Sequence, residues 1–185
     1  MEKKVATLEL QCDDLEQYSR RNSLRIEGIP ERKDEDVVGT VMGVLNAMHL
    51  EPGVTIDSID RVQRLGVWKQ SNTKPRVMLV KLSTYRVRQH IFSAKKKLKT
   101  ISLTPRSHEE SQGASTPNNA QAKLFINEDL TQYRSKLLNE CRVAKKKKYI
   151  LDCWSFDGRI MIRTKSGKIM TIKSKNDLDL NSVHD

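Results

Sequence analysis

Residues 15–31 read LEQYSRRNSLRIEGIPE, and within this stretch a helical period turns into a strand period. Ahead of it, Val5, Leu8, Cys12, Leu15, Ser19 and Asn22 are spaced alternately by three and four, the a/d register of a heptad helix. Beyond Asn22, Leu24 and Ile26 alternate with Arg25 and Glu27, the period of a half-buried strand, which Gly28 and Pro30 bring to an end. Residues 1–22 are therefore expected to form a coiled-coil segment with Val5, Leu8, Cys12 and Leu15 as its oligomerising positions. Roughly three heptads are marginal for a free-standing coiled coil, so a helix packed as a cap on the next domain is the alternative.

Size and charge set limits on fold and partner. A chain of 185 residues has room for one ordinary domain or two small ones. With 37% hydrophobic and 31% charged residues, small cores under a large charged surface are expected. The net charge of +11 and pI of about 9.7 favour an anionic partner, nucleic acid first and an anionic membrane surface second. Counted by segment, the charge is −1 over residues 1–22, +7 over 23–104, −1 over 105–122 and +6 over 123–185, which suggests two basic modules sharing one polyanion. Cys12, Cys141 and Cys153 are odd in number and lack a CxxC pair, which argues against a disulfide framework or a zinc site and for a reducing compartment. No apolar run approaches the ~20 residues of a spanning helix, and no signal-peptide pattern opens the sequence. A soluble intracellular protein without a membrane partner is expected.

Read in order, Ser23–Ile29 is the first strand and Asp34–Leu50 an amphipathic helix, with Val38, Val41, Leu45 and Met48 at helical spacing and acidic Asp34, Glu35 and Asp36 at its start. Ile56–Leu65 is the second strand, residues 66–74 a polar loop carrying Trp68, and Arg76–Leu82 a third, central strand. Ser83 or Thr84 caps a second helix striped by Val87, Ile91, Ala94 and Leu98, with Lys95, Lys96, Lys97 and Lys99 crowding its end. Ile101–Leu103 is a weak fourth strand. The resulting β-α-β-β-α-β order is the ferredoxin-like, RNA-recognition-like plan, with one sheet face left open, over residues 23–104.

Residues 105–122 are linker by composition. Residues 123–185 form a small α+β C-terminal domain: a short strand Lys123–Asn127, then a helix starting at Asn127 or Asp129, running to about Lys146 and striped by Leu130, Tyr133, Leu137, Cys141 and Ala144. An extended segment Tyr149–Trp154, a turn at Asp157–Gly158 and a hairpin of Arg159–Thr164 with Lys168–Ile172 complete it.

No set of residues converges on catalysis. His49, His90, His108 and His184 share no metal-ligand spacing, and GxSxG, phosphate-loop and HExxH patterns are absent, so neither an enzyme nor a cofactor is expected. Binding chemistry is better supplied. Arg25, Arg61, Arg64 and Arg76 sit on or beside strands, where guanidinium groups can fork onto phosphates and stack on bases. Lys95, Lys96, Lys97 and Lys99, and Lys145, Lys146, Lys147 and Lys148, can counter phosphate charge without reading sequence. A nuclear-localisation signal at Lys145–Lys148 is a second reading. The aromatic RNA-recognition signature is missing, since Val77, Met78 and Leu79 occupy the third strand. Base stacking is therefore expected from Trp68, Trp154 or Phe156, with a core-packing role for Trp154 as the alternative.

The segments LEQYSRRNSLRIEGIPE (15–31), IDRVQRLG (59–66), PRVMLVKL (75–82) and LFINEDLTQYRSKLLNECR (124–142) resemble the first-open-reading-frame proteins of LINE-type retrotransposons. From Lys123 onward the chain is also similar to the few-polyhedra proteins of baculoviruses. The retrotransposon resemblance implies a trimeric coiled coil, an RNA-recognition-like domain and a C-terminal domain that together bind single-stranded RNA or DNA and act as a nucleic-acid chaperone in a cytoplasmic ribonucleoprotein. By motif match it implies nucleic-acid-binding roles for Arg20 and Arg21, Arg61 and Arg64, Arg134, and Trp154, Phe156 and Arg159, with Arg163 further along the same hairpin strand. The few-polyhedra resemblance implies an interaction or scaffold protein instead.

Overall fold

The computed structural model describes residues 2–32, 34–68, 74–100 and 123–178. It is mixed α+β with two antiparallel sheets, and it divides into two compact units. One unit is Asn22–Asn127; the other joins Met1–Arg21 to Glu128–Asp185.

In the first unit, strand β1 (Ser23–Glu27) ends at Gly28, whose φ of +90° suits glycine. Helix α2 covers Val37–Ala47, shorter than the expected 34–50. Asp34 stands outside it at φ +58°, while Asp36 is the N-cap and accepts a hydrogen bond from Gly39 N at 2.9 Å. A short 3-10 turn precedes β2 (Ile59–Arg64), and β3 covers Met78–Leu82. Helix α3 (Tyr85–Ser93) starts at Thr84, whose hydroxyl accepts from Val87 N at 3.3 Å; a 3-10 segment, Lys95–Thr100, follows. The fourth strand, β4, is Phe125–Glu128.

The strand order is β2-β3-β1-β4, with β1 and β2 both antiparallel to β3. The first unit's last strand is thus supplied by the segment expected to open the C-terminal domain. The strand expected at 101–103, and the linker expected at 105–122, lie outside the described residues. Gly28 permits this arrangement, because a Cβ there would collide with the Lys123 carbonyl oxygen. The core forms on one sheet face, where Leu24, Ile26, Met78, Val80, Leu82, Leu124 and Ile126 meet Val41, Val44, Leu45, Met48, Ile91 and Leu98. Each large aliphatic side chain buried there contributes roughly 1.5–3 kcal/mol.

In the second unit, helix α4 covers Gln132–Lys146 and is capped by Thr131, whose hydroxyl accepts from Arg134 N at 3.2 Å. Leu130, Leu137, Cys141 and Ala144 are buried, as their spacing predicts; Tyr133, on the same predicted stripe, is exposed. A three-stranded sheet, β5 (Asp152–Phe156), β6 (Arg159–Arg163) and β7 (Ile169–Ile172), packs Ile160, Ile162 and Ile172 against that helix. Asp157 at φ +51° and Gly158 at φ +74° form the tight turn between β5 and β6.

The N-terminal helix, α1 (Glu2–Ser19), also belongs to this unit and caps it. Gln17 Nε2 donates to Asp129 O and Gln17 Oε1 accepts from Thr131 N, both at 3.0 Å. Asp13 Oδ1 accepts from the Thr131 hydroxyl at 2.5 Å. The helix docks through this polar side, so Val5, Leu8, Cys12 and Leu15 stay exposed, Leu15 at 72%. These contacts tie it to the C-terminal residues of its own unit.

Candidate nucleic-acid interface

The hairpin of the second unit brings together four of the residues singled out from sequence. Antiparallel pairing sets Phe156 opposite Arg159, Trp154 opposite Met161 and Asp152 opposite Arg163. Strand periodicity then puts Phe156, Trp154, Arg159, Met161 and Arg163 on the sheet face turned away from Ile160 and Ile162. Across β7 the same face continues through Thr171 and Ile169. Phe156 is 55% exposed, Trp154 is half-buried, and Arg159 and Arg163 are exposed. The Arg163 guanidinium lies 5.9 Å from the centroid of the Trp154 ring. This is an apolar aromatic strip with cations beside it, suited to stacking bases while holding their phosphates.

Lys146, Lys147 and Lys148 are exposed at the end of α4 and in the turn after it. Lys145 differs. Its ammonium bonds Asp152 Oδ1 at 2.6 Å, which raises the lysine's affinity for its proton and holds the Asp152 carboxyl below the usual carboxylate range. Both groups are half exposed, so the pair is weak and open to exchange for a phosphate.

Several predicted ligands are committed elsewhere. Arg64 has a side chain only 4% exposed. It forks onto Glu35 at 2.7 and 2.8 Å and donates to the carbonyls of Ile29, Pro30 and Arg76. Arg76 is bound to Glu31 and to the Gly66 carbonyl; its hydrogen bond holds the Glu31 carboxyl below the usual range. Arg134 is 15% exposed and clasped by Asp13, Asp14 and the Gly158 carbonyl. Arg20 bonds Asp129 and Glu16. These four guanidinium groups are thus held by carboxylates of the chain itself, Arg64 and Arg134 in largely buried pairs and Arg20 in pairs that leave it a third exposed.

The remaining candidates vary. Arg61 is exposed and, among the described residues, has no ion-pair partner. Arg21 is exposed and stacked over the Tyr18 ring at 3.8 Å. Lys95 lies over Phe92, Lys97 donates to the His49 carbonyl at 2.9 Å, and Lys96 is exposed. The Lys99 side chain lies outside the described residues. Trp68 is exposed.

The first sheet's open face carries a residue that the sequence pattern did not bring forward. Asn127 Nδ2 donates to Glu27 Oε1 at 3.0 Å, so Asn127, and Phe125 two residues before it, share the face of Arg25 and Glu27. Phe125 is 53% exposed there. Its expected place in the C-terminal domain hid it; the alternation of exposed Phe125 and Asn127 with buried Leu124 and Ile126 is the signal that could have found it.

Among the described residues, no group of three or more His, Cys, Asp or Glu is arranged to hold a metal ion, and no helix is long and apolar enough to cross a membrane. Burial pushes the Cys141 thiol up to about 12 and raises that of Cys153. No protein-family model matches this chain, and no curated protein matches it.

Proposed function

We propose that the protein is a sequence-tolerant binder of single-stranded RNA or DNA with nucleic-acid chaperone action, a ribonucleoprotein component of the LINE-retrotransposon type. The observation that carries this reading is the shared face of β5 and β6, where Trp154, Phe156, Arg159 and Arg163 combine stacking surface with exposed cations. The strand order β2-β3-β1-β4, with two helices on one face, supports reading the first unit as ferredoxin-like and RNA-recognition-like. Stacking and phosphate contacts of this kind carry no base code, so affinity is spread over many weak, quickly exchanging contacts. Strands can then melt and re-pair while remaining bound, which is what a chaperone requires. The chemistry is that of binding rather than catalysis.

The exposed seam of α1 supports homo-oligomerisation, which would multiply these contacts by avidity. The same seam also favours a second reading, a scaffold protein of the few-polyhedra type whose helix recruits a different chain. A fluorescence-anisotropy titration with a labelled single-stranded 20-mer separates the two. Phe156→Ala, chosen because that ring is exposed, is expected to weaken binding at least about fivefold on every sequence tried. Absence of oligonucleotide binding by the full chain would favour the scaffold.

A further inference from the structure

We infer that the open face of the first sheet contains a second, base-reading site, with Phe125 as its stacking platform and Glu27 with Asn127 as its edge reader. The inference rests on the proposed single-strand binding and adds to it a ligand class: an unpaired base that carries an exocyclic amino group.

The placement comes from the contacts around the end of β1. Gly28 meets the Lys123 carbonyl oxygen, and Glu27 accepts a hydrogen bond from Asn127. These two contacts bracket Phe125 beside the end of β1. An aromatic ring left half-exposed on a sheet whose other face holds the core gains only part of what burial would give it, and exposed aromatic surface is what an unstacked base uses. The neighbouring rows complete the surface. Gln63, Leu79 and Arg25 align across three strands, and Arg61, Lys81 and Ser23 form the next row. Lys81 is held by Asp60 at 2.9 Å, with both groups half exposed, whereas Arg61 has no such acid among the described residues. A strand crossing this face therefore meets one ring, one aliphatic step and cations suited to its phosphates.

The chemistry of the reader sets the ligand. Among the described residues, Glu27 Oε2 receives no hydrogen bond, and its partner Asn127 occupies only Oε1. A carboxylate beside a stacked base repels phosphate and accepts N–H donors. Cytosine offers an amino group at C4, and adenine and guanine offer theirs. Uracil instead sets carbonyl oxygens on both sides of its one imino group, and these oppose the carboxylate. The site is thus expected to favour amino-bearing bases, superimposing a modest preference on an otherwise sequence-tolerant protein.

The test compares 12-mers of cytidylate and uridylate, which differ only on the Watson–Crick edge, binding the full chain at one salt concentration. Wild type is expected to bind the cytidylate oligomer about fivefold or more tightly than the uridylate one. Glu27→Gln is expected to abolish the difference, because an amide can turn either a donor or an acceptor to the base. Phe125→Leu keeps an apolar side chain at an exposed position, yet is expected to weaken both oligomers at least about fivefold, and Phe125→Tyr is expected to restore them. Thermal melting of each variant checks that the sheet is intact. Wild-type affinity in Phe125→Leu, or equal losses in Phe125→Leu and Phe125→Tyr, would overturn the stacking role. A cytidylate preference that survives in Glu27→Gln would overturn the reader. If wild type binds neither oligomer, the proposed single-strand binding itself has failed, an outcome these variants do not mimic.

Discussion

Replacing Arg64 with Met removes a guanidinium but keeps an unbranched apolar stem. Five hydrogen bonds disappear: two to Glu35 at 2.7 and 2.8 Å, and three to the carbonyls of Ile29, Pro30 and Arg76 at 3.0, 2.9 and 2.6 Å. Glu35, whose side chain is 11% exposed, is left charged and without its counter-ion. Breaking a buried pair in this way costs about 3–5 kcal/mol, because one charge stays behind unpaired. Native stabilities of about 5–15 kcal/mol leave little after such a loss. For a unit of about 100 residues, each kcal/mol lowers Tm by about 4–8 °C, so a fall of at least about 12 °C is expected. Hydrogen exchange read by mass spectrometry gives the assay, since it tracks peptides of β1 and β3 separately from those of β5 and β6. Protection should drop in the first unit and hold in the second, and the folded fraction should keep wild-type affinity for a single strand. Unchanged protection of β1 and β3 together with lost oligonucleotide affinity would refute the reasoning, because Arg64 would then be a ligand contact after all.

Three further outcomes rest on burial and pairing elsewhere in the chain. Iodoacetamide applied to the native protein at about pH 8 should label the exposed Cys12 well before Cys141 and Cys153, whose burial raises the thiol pKa, to about 12 for Cys141; peptide mass spectrometry decides it, and equal labelling would contradict the burial. Slower labelling of Cys12 at higher protein concentration would report assembly through the α1 seam. The Glu31 carboxyl is held below its ordinary value of 4.5 by the Arg76 hydrogen bond, so its contribution to stability is present above that pH and is lost as pH falls through the lower folded value. Urea melts of the first unit should therefore weaken in that window for wild type and show a smaller pH dependence in Glu31→Gln.

Local rules carried much of the fold. The alternation of β1, the cap of α3 and the Asp157–Gly158 turn are decided within a few residues; β1 ends at Glu27, two residues short of the expected Ile29, and of Ser83 and Thr84 it is Thr84 that caps. What escaped depends on partners far along the chain. Nothing in KLFIN says which sheet it joins, because a four-residue strand can pair with any exposed edge. The charges behaved likewise. Arg64 meets Glu35 across 29 residues, Arg76 meets Glu31 across 45, and Arg134 meets Asp13 across 121. Composition reports a surplus of positive charge but not which cations are neutralised internally. Lys146, Lys147, Lys148, Arg61 and the hairpin arginines remain among the outward charges. Arg134 and Arg64 face carboxylates, whereas Arg159 and Arg163 face outward on the hairpin.

Strand binding by the β5–β6 face should show itself in the salt dependence of affinity. The dissociation constant of a single-stranded 20-mer should be measured over a range of salt concentrations for wild type and for the Arg159→Gln/Arg163→Gln double variant. A steep linear loss of log affinity with log salt is expected, with a slope reduced in magnitude by about 1.4 in the double variant, about 0.7 for each phosphate contact removed. A slope identical in the two proteins would mean that the β5–β6 face does not hold the strand.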